Sequence, residues 1–195
     1  MSFSACAVKT VEGFEKGDVV EKNYTVSYFS DASADYVYKA NISIYGKEFG
    51  GIFIAKKIDD TTHRVAFTTE FGNKLFDFTI AGNDFKVNYI LEDLDRKIIV
   101  NMLKKDFILL LKNNYPVMEV YQNNDYIVYK SKDDGRYNYL FFSNQSKHLE
   151  KLVNATNSKE KVIISYIAEN YKLAKKIVID HKNIKLRIEL NYINN

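Results

Sequence analysis

From residue 24 onward, apolar and polar positions alternate with a period of two along most of the chain, which is the repeat of half-buried strands. Tyr36, Tyr38, Ala40, Ile42 and Ile44 share one face of a strand, and Gly46 and Lys47 read as the tight turn that ends it. Ile52 and Ile54 continue on the return strand. Val65, Phe67, Thr69 and Phe71 then alternate with Arg64, Ala66, Thr68 and Glu70. Asp59-Asp60-Thr61, Gly72-Asn73 and Ala81-Gly82-Asn83-Asp84 are turn signals that separate further strands over 75–80 and 85–91. A second run follows at 118–122, 126–131, 137–142, 148–153, 162–168, 174–180 and 184–193. The spacing predicts roughly eleven or twelve strands, as in an all-β sandwich or barrel.

Residues 93–113 break this rhythm. Leu94, Ile98, Met102, Leu103, Phe107, Leu110 and Leu111 follow helical spacing, Asp93 or Asp95 is placed to cap the start, and Pro116 lies just past the end. Around Phe107 to Leu111 the helix is apolar on almost every side, so it needs cover on more than one side. The pattern therefore predicts a mainly β fold, with a large curved antiparallel sheet around one long central helix. The inward faces of the first meander, through Ile42, Ile44, Ile52, Ile54, Val65 and Phe67, are expected to line an apolar space that faces Met102, Leu103 and Phe107.

Composition narrows the function classes. The chain is 46% hydrophobic and 27% charged, a globular balance, and no apolar run is long enough (about 18 residues) for a membrane-spanning helix. A net charge of +3 in mixed sign gives no reason to expect nucleic-acid binding. With one cysteine and three well-separated histidines, His63, His148 and His181, the sequence offers no metal-ligand spacing and no internal disulfide. The acidic pairs Asp59-Asp60, Asp93/Asp95 and Asp133-Asp134 fall at turns and a helix start, where capping explains them. No phosphate loop or catalytic motif occurs, and no cofactor is implied. Lys104-Lys105 and Lys175-Lys176 read as solvated pairs or as neighbours of lipid head groups. Tyr126, Tyr129, Tyr137 and Tyr139 read as cross-strand packing pairs or as a stacking surface.

The N-terminus carries the one candidate modification site. Phe3-Ser4-Ala5-Cys6 resembles the bacterial lipobox, an apolar residue and two small residues before the cysteine that receives diacylglycerol. Residues 1–22 are accordingly expected to be a lipoprotein signal remnant and tether, and residues 23–195 a single domain.

The lipobox-like cysteine, the first meander, the helix and the second meander together resemble the LolA/LolB-like lipoprotein carriers, and in particular uncharacterised outer-membrane lipoproteins of that type from Bacteroidota. YKANISIYGKEFGGIFIAKKI (38–58) and HRVAFTTEFGNKLFDF (63–78) carry most of the likeness. The resemblance implies an unclosed half-barrel with a helical lid over a hydrophobic cavity for acyl chains. It also implies a protein lipid-anchored to the outer membrane and facing the periplasm. Arg64 is the nearest candidate for a polar latch between barrel and lid. The expected partners are lipid or lipoprotein acyl chains, the membrane through its anchor, and a further envelope protein. The competing expectation is a non-catalytic scaffold on the same fold whose cavity its own side chains fill. An enzyme ranks third.

Overall fold

The computed structural model describes residues 9–193. A 3-10 turn, Lys9–Val11, precedes two short strands, β1 (Glu15–Gly17) and β2 (Asn23–Thr25). The first meander comprises β3 (Asp35–Ile44), β4 (Lys47–Lys57), β5 (Thr62–Thr68), β6 (Lys74–Ala81) and β7 (Asp84–Ile90). After a 3-10 turn at Glu92–Leu94 comes α1 (Lys97–Leu111), then β8 (Asn114–Pro116). The second meander comprises β9 (Glu119–Gln122), β10 (Tyr126–Asp133), β11 (Arg136–Ser143), β12 (Leu149–Ala155), β13 (Glu160–Ala168), β14 (Ala174–His181) and β15 (Leu186–Tyr192).

Thirteen strands form one sheet in the order β1-β9-β10-β11-β12-β13-β14-β15-β3-β4-β5-β6-β7, and β2 pairs with β8 in a separate ribbon. Every ladder is antiparallel. The two meanders join where β15 pairs with β3, from Leu186 opposite Ile44 to Tyr192 opposite Tyr38. β1 and β7 are the free edges, so among the described residues the sheet is not closed.

The twelve longer strands match those the alternation predicts. The additional β1, β2 and β8 have three residues each, too few to show a period. The helix is shorter than residues 93–113, because the chain first makes the Glu92–Leu94 turn, in which the Leu91 carbonyl accepts from the N–H groups of Leu94 and Asp95. Neither Asp93 nor Asp95 caps α1; its N-cap is Arg96, with no side-chain cap bond. The buried stripe of α1 runs through Ile99, Met102, Leu103, Asp106, Phe107, Leu110 and Leu111, while Ile98 is exposed.

The β3–β4 turn is Tyr45-Gly46, both at positive φ, one residue earlier than expected. This two-residue turn sets Tyr38 opposite Phe53 and Ala40 opposite Gly51. Even-numbered residues of β3 therefore share their face with odd-numbered residues of β4. Ile52 and Ile54, expected to point inward, lie half-buried on the opposite face, and Gly51, Phe53 and Ala55 take the inward positions. β4 is apolar on both faces, so alternation alone could not separate the two.

Residues 9–17, expected to be tether, belong to the fold. Val11 and Phe14 pack on Val128, Tyr139, Phe141, Val153 and Ala155, a small apolar cluster separate from the main core. The Phe14 and Phe141 rings meet edge to face at 6.0 Å. Thr10 Oγ1 donates to Glu160 Oε1 at 2.7 Å. β1 covers β9, and Glu119 gathers Lys16 at 3.3 Å, Lys130 at 2.7 Å and the Tyr121 hydroxyl at 2.6 Å. Those donors hold the Glu119 carboxyl down to about 2. Cys6 lies outside the described residues.

Of the glycines in the described residues, Gly51 alone leaves no room for a side chain. A Cβ there would collide with the Thr68 carbonyl oxygen, beside the bulge at Phe67/Thr68. The obstacle is backbone, so relief requires the strand pair to move. Gly51→Ala is expected to destabilise the fold by about 1–3 kcal/mol, in the range of overpacked cores. Urea unfolding followed by circular dichroism measures this, and an unchanged midpoint would refute the close approach.

Candidate functional site

Phe107 of α1 stands among Phe53, Phe76 and Phe78, with ring centroids 5.4, 5.6 and 6.3 Å away. These four rings and Phe67 are all 0% exposed, so side chains fill the space around Phe107. Of the residues predicted to line a cavity, Ile42, Ile44, Val65, Phe67, Met102, Leu103 and Phe107 do come together, as parts of one packed core. Ile52 and Ile54 are not among them.

A segment without periodicity fills more of the interior. Val26, Tyr28 and Phe29 enter the same core as Tyr115 and Tyr166. Asn113 Nδ2 donates to the carbonyls of Val26 and Tyr28 at 2.9 and 3.1 Å, and the Tyr28 hydroxyl donates to the Leu149 carbonyl at 3.1 Å. Irregular backbone is held inside in this way because its polar groups find partners.

Arg64 does not latch the helix. Its Nε and Nη2 donate to Asp77 of β6 at 3.0 and 2.7 Å. Asp77, 2% exposed, also receives Lys74 at 3.0 Å and Asn88 at 3.2 Å. The Arg64 bond, joined by Lys74 and Asn88, holds this carboxyl well below the usual carboxylate range despite its burial. The cluster ties neighbouring strands of the first meander together.

Open space flanks the C-terminal half of α1. A groove of about 350 Å³ lies between the C-terminal half of α1 and strands β10 to β13. Its apolar lining is Ile108, Leu109 and Val162; its polar lining includes Lys104, Lys105, Asp106, Asp134, Arg136, Asn138 and Asn154. A second cleft of about 280 Å³ shares Asn83, Ile108, Lys112 and Asp133 with it, so the two adjoin. Lys112, just past α1, forms an ion pair with Asp133 of β10.

The sheet side of the groove is built from one row across four ladders. Ser131 pairs with Asn138, Asn138 with Asn154, Asn154 with Val162, and Val162 with His181. Direct cross-strand neighbours share a face, so this row points with Leu140, Leu152, Ile164 and Ile179, two residues along each strand, toward the main core. The Arg136 guanidinium donates to Asn154 Oδ1 at 2.9 Å, and Asn154 Nδ2 donates to Asn138 Oδ1 at 2.7 Å. At the end of the row, His181 Nε2 donates to Asp106 of α1, 2.9 Å from each carboxylate oxygen. Asp106 is 1% exposed, and burial pushes its carboxyl above the usual range while the His181 bond opposes that shift. Among the described residues no group of three or more His, Cys, Asp or Glu side chains is placed to hold a metal ion, and no helix is long and apolar enough to cross a membrane.

No family model matches the sequence, and neither does any curated protein. Solved structures do share its shape. The LolA superfamily protein from Nitrosomonas europaea superposes with a TM-score of 0.54 at 9% identity, over 87% of this chain and 88% of that one. The fold is LolA/LolB-like. Two weaker overlaps accompany it. A DUF1329 family protein from Desulfovibrio piger gives a TM-score of 0.41 at 6% identity, over 82% of this chain and 84% of that one. An outer membrane lipoprotein-sorting protein domain from Vibrio parahaemolyticus gives 0.47 at 8%, over 83% and 84%.

In this LolA/LolB-like chain the polar tie between helix and sheet is Asp106–His181, in place of Arg64. Asp106 lies unmarked inside an apolar helical stripe, and His181, a lone histidine without metal-ligand spacing, lies beside a turn. Removing one partner of a buried pair leaves the other without its hydrogen bond, which is the costly case. His181→Ala is therefore expected to lower stability by about 1–3 kcal/mol. Denaturant titration tests this, and a loss below that of an ordinary surface substitution would show that the tie carries no load.

Proposed function

We propose that this protein is a non-catalytic binding protein of the bacterial cell envelope that takes the acyl part of a lipid or lipoprotein along α1. The observation that carries this reading is the groove beside the helix. Its volume of about 350 Å³ falls in the range of small-ligand sites, and Ile108, Leu109 and Val162 offer an apolar floor beneath a charged rim. Each methylene buried there contributes about 0.8 kcal/mol. Because side chains already fill the core under Phe107, the acyl chain lies in the groove rather than beneath the first meander.

The anchor in this proposal is a diacylglyceryl group on Cys6, which holds the protein on the outer membrane facing the periplasm. Only Ala7 and Val8 separate Cys6 from the segment that begins at Lys9. Thr10 of that segment is bonded to Glu160, the first residue of β13. The β12–β13 turn and the β10–β11 turn lie at the same end of the sheet, because Asn138, Asn154 and Val162 pair in register just inside them. A short leash at that end sets the groove mouth toward the membrane. Two or three acyl chains give firm anchoring where one is marginal.

A second reading is favoured by one observation, the complete burial of Phe53, Phe67, Phe76, Phe78 and Phe107. On that reading the domain is a scaffold that holds another envelope protein and takes no lipid. Titration with a fluorescent fatty-acid probe separates the two. The acyl-binding reading expects saturable binding that Leu109→Asp weakens at least tenfold while circular dichroism shows the variant still folded, since Leu109 is half-buried at the edge of the core. Absence of binding by the wild-type protein would leave the scaffold. The anchor is tested separately: with a signal peptide supplied upstream, Cys6→Ser is expected to move the protein from membranes to the soluble fraction, and an unmodified mass for the Cys6 protein would refute lipidation.

A further inference from the structure

The hydrogen bonds on the sheet side of the groove have a fixed direction. A guanidinium only donates, so the Asn154 oxygen facing Arg136 at 2.9 Å is an acceptor, and Asn154 Nδ2 must point the other way. It meets Asn138 Oδ1 at 2.7 Å, which occupies the oxygen of Asn138 and leaves its amide N–H groups as the free end of the chain. Asn138 is 1% exposed and still lines the groove. Opposite it in the ladder, the Ser131 hydroxyl is fully buried and has no partner. The Asn138 amide thus faces the groove with no protein acceptor for its hydrogens, and the Ser131 hydroxyl behind it is a buried donor without a partner.

The charges around them favour an anion. Lys104 and Lys105 line the α1 side of the groove and Arg136 the sheet side. Two of the three lining carboxylates are engaged, Asp133 by Lys112 and Asp106 by His181. Asp134, exposed at the β10–β11 turn, is the third. An acceptor-rich, negatively charged group suits both the directed donors and this balance.

We infer that this part of the groove binds the oxygens of an anionic head group, a phosphate or a carboxylate, through Asn138, Arg136 and Lys105. The placement of that ligand's apolar part on Ile108 and Leu109 rests on the acyl-binding reading; the anion site itself does not. Head-group recognition would select among lipids that the apolar floor alone could not tell apart.

Calorimetric titration of the full chain with dodecyl phosphate, dodecanol and inorganic phosphate tests this, below micelle-forming concentrations. Dodecyl phosphate is expected to bind at least tenfold more tightly than dodecanol. Asn138→Ala should remove that advantage and leave dodecanol unchanged. Lys105→Gln, an exposed position whose change leaves the core intact, should reduce it and serves if Asn138→Ala fails to fold. Equal affinity for the two alkyl probes would overturn the anion site and keep acyl binding. Inorganic phosphate binding with the same dependence on Lys105 and Asn138, unimproved by an alkyl chain, would keep the anion site as one for a free anion and overturn acyl binding. Failure of all three to bind overturns both.

Discussion

A sheet of thirteen strands presents more inward apolar surface than one fifteen-residue helix can cover. The helix is about 22 Å long, whereas the strands laid side by side would span roughly 60 Å at their usual spacing. The rest of the architecture follows from that shortfall. α1 commits its aromatic residue, Phe107, to the first meander, where Phe53, Phe76 and Phe78 close around it. The irregular segment through Val26, Tyr28 and Phe29 is drawn inside to fill another part, with Tyr115 and Tyr166. Around the C-terminal half of α1 the cover is incomplete, and along β10 to β13 there the inward row turns polar.

Buried and half-buried carboxylates show the same economy with opposite electrostatics. Asp77 lies under Arg64 and Lys74, and Glu119 under Lys16 and Lys130; each is held ionised and binds neighbouring strands together. Asp106 has no such cations. Burial raises its carboxyl, and its partner is a single histidine from the far meander. A paired carboxylate under two cations is suited to permanent structure. A carboxylate inside an apolar helical stripe, tied to one imidazole, instead fixes where that helix can sit, because a shift of one residue along α1 would leave Asp106 buried with nothing to accept from.

Much of the strand order is legible in the chain because period-2 alternation survives wherever one face is buried and the other solvated. The final strand, Leu186 to Tyr192, is the clearest case. Alternation fails where that contrast is missing. β4 carries Ile52 and Ile54 on one face and Phe53 and Ala55 on the other, and only the cross-strand register decides which pair faces the core. On α1, Ile98 and Ile99 are adjacent and equally apolar, so the stripe is ambiguous by about 100°. The LolA/LolB-like order of meander, helix and meander was readable all the same, since it depends on the sequence of elements rather than on the face each presents.

The groove was harder to read, although its signal is present. Tyr129, Leu140, Leu152, Ile164 and Ile179 are inward residues of five consecutive strands, and Ser131, Asn138, Asn154, Val162 and His181 each lie two positions further toward the same end. Same-face parity therefore puts four polar side chains inside. Sequence reasoning assigns polar residues near turns to solvent, which is correct for most turns and wrong for this row. A polar row at the end of apolar rows on one face makes an amphipathic wall, and Lys104 and Lys105 stand across from it on a helix that Asp106 holds in register. The same geometry that leaves the sheet incompletely covered thus sets hydrogen-bond donors at the mouth and aliphatic side chains beside them, the division of labour that a ligand with a charged head and an apolar tail requires.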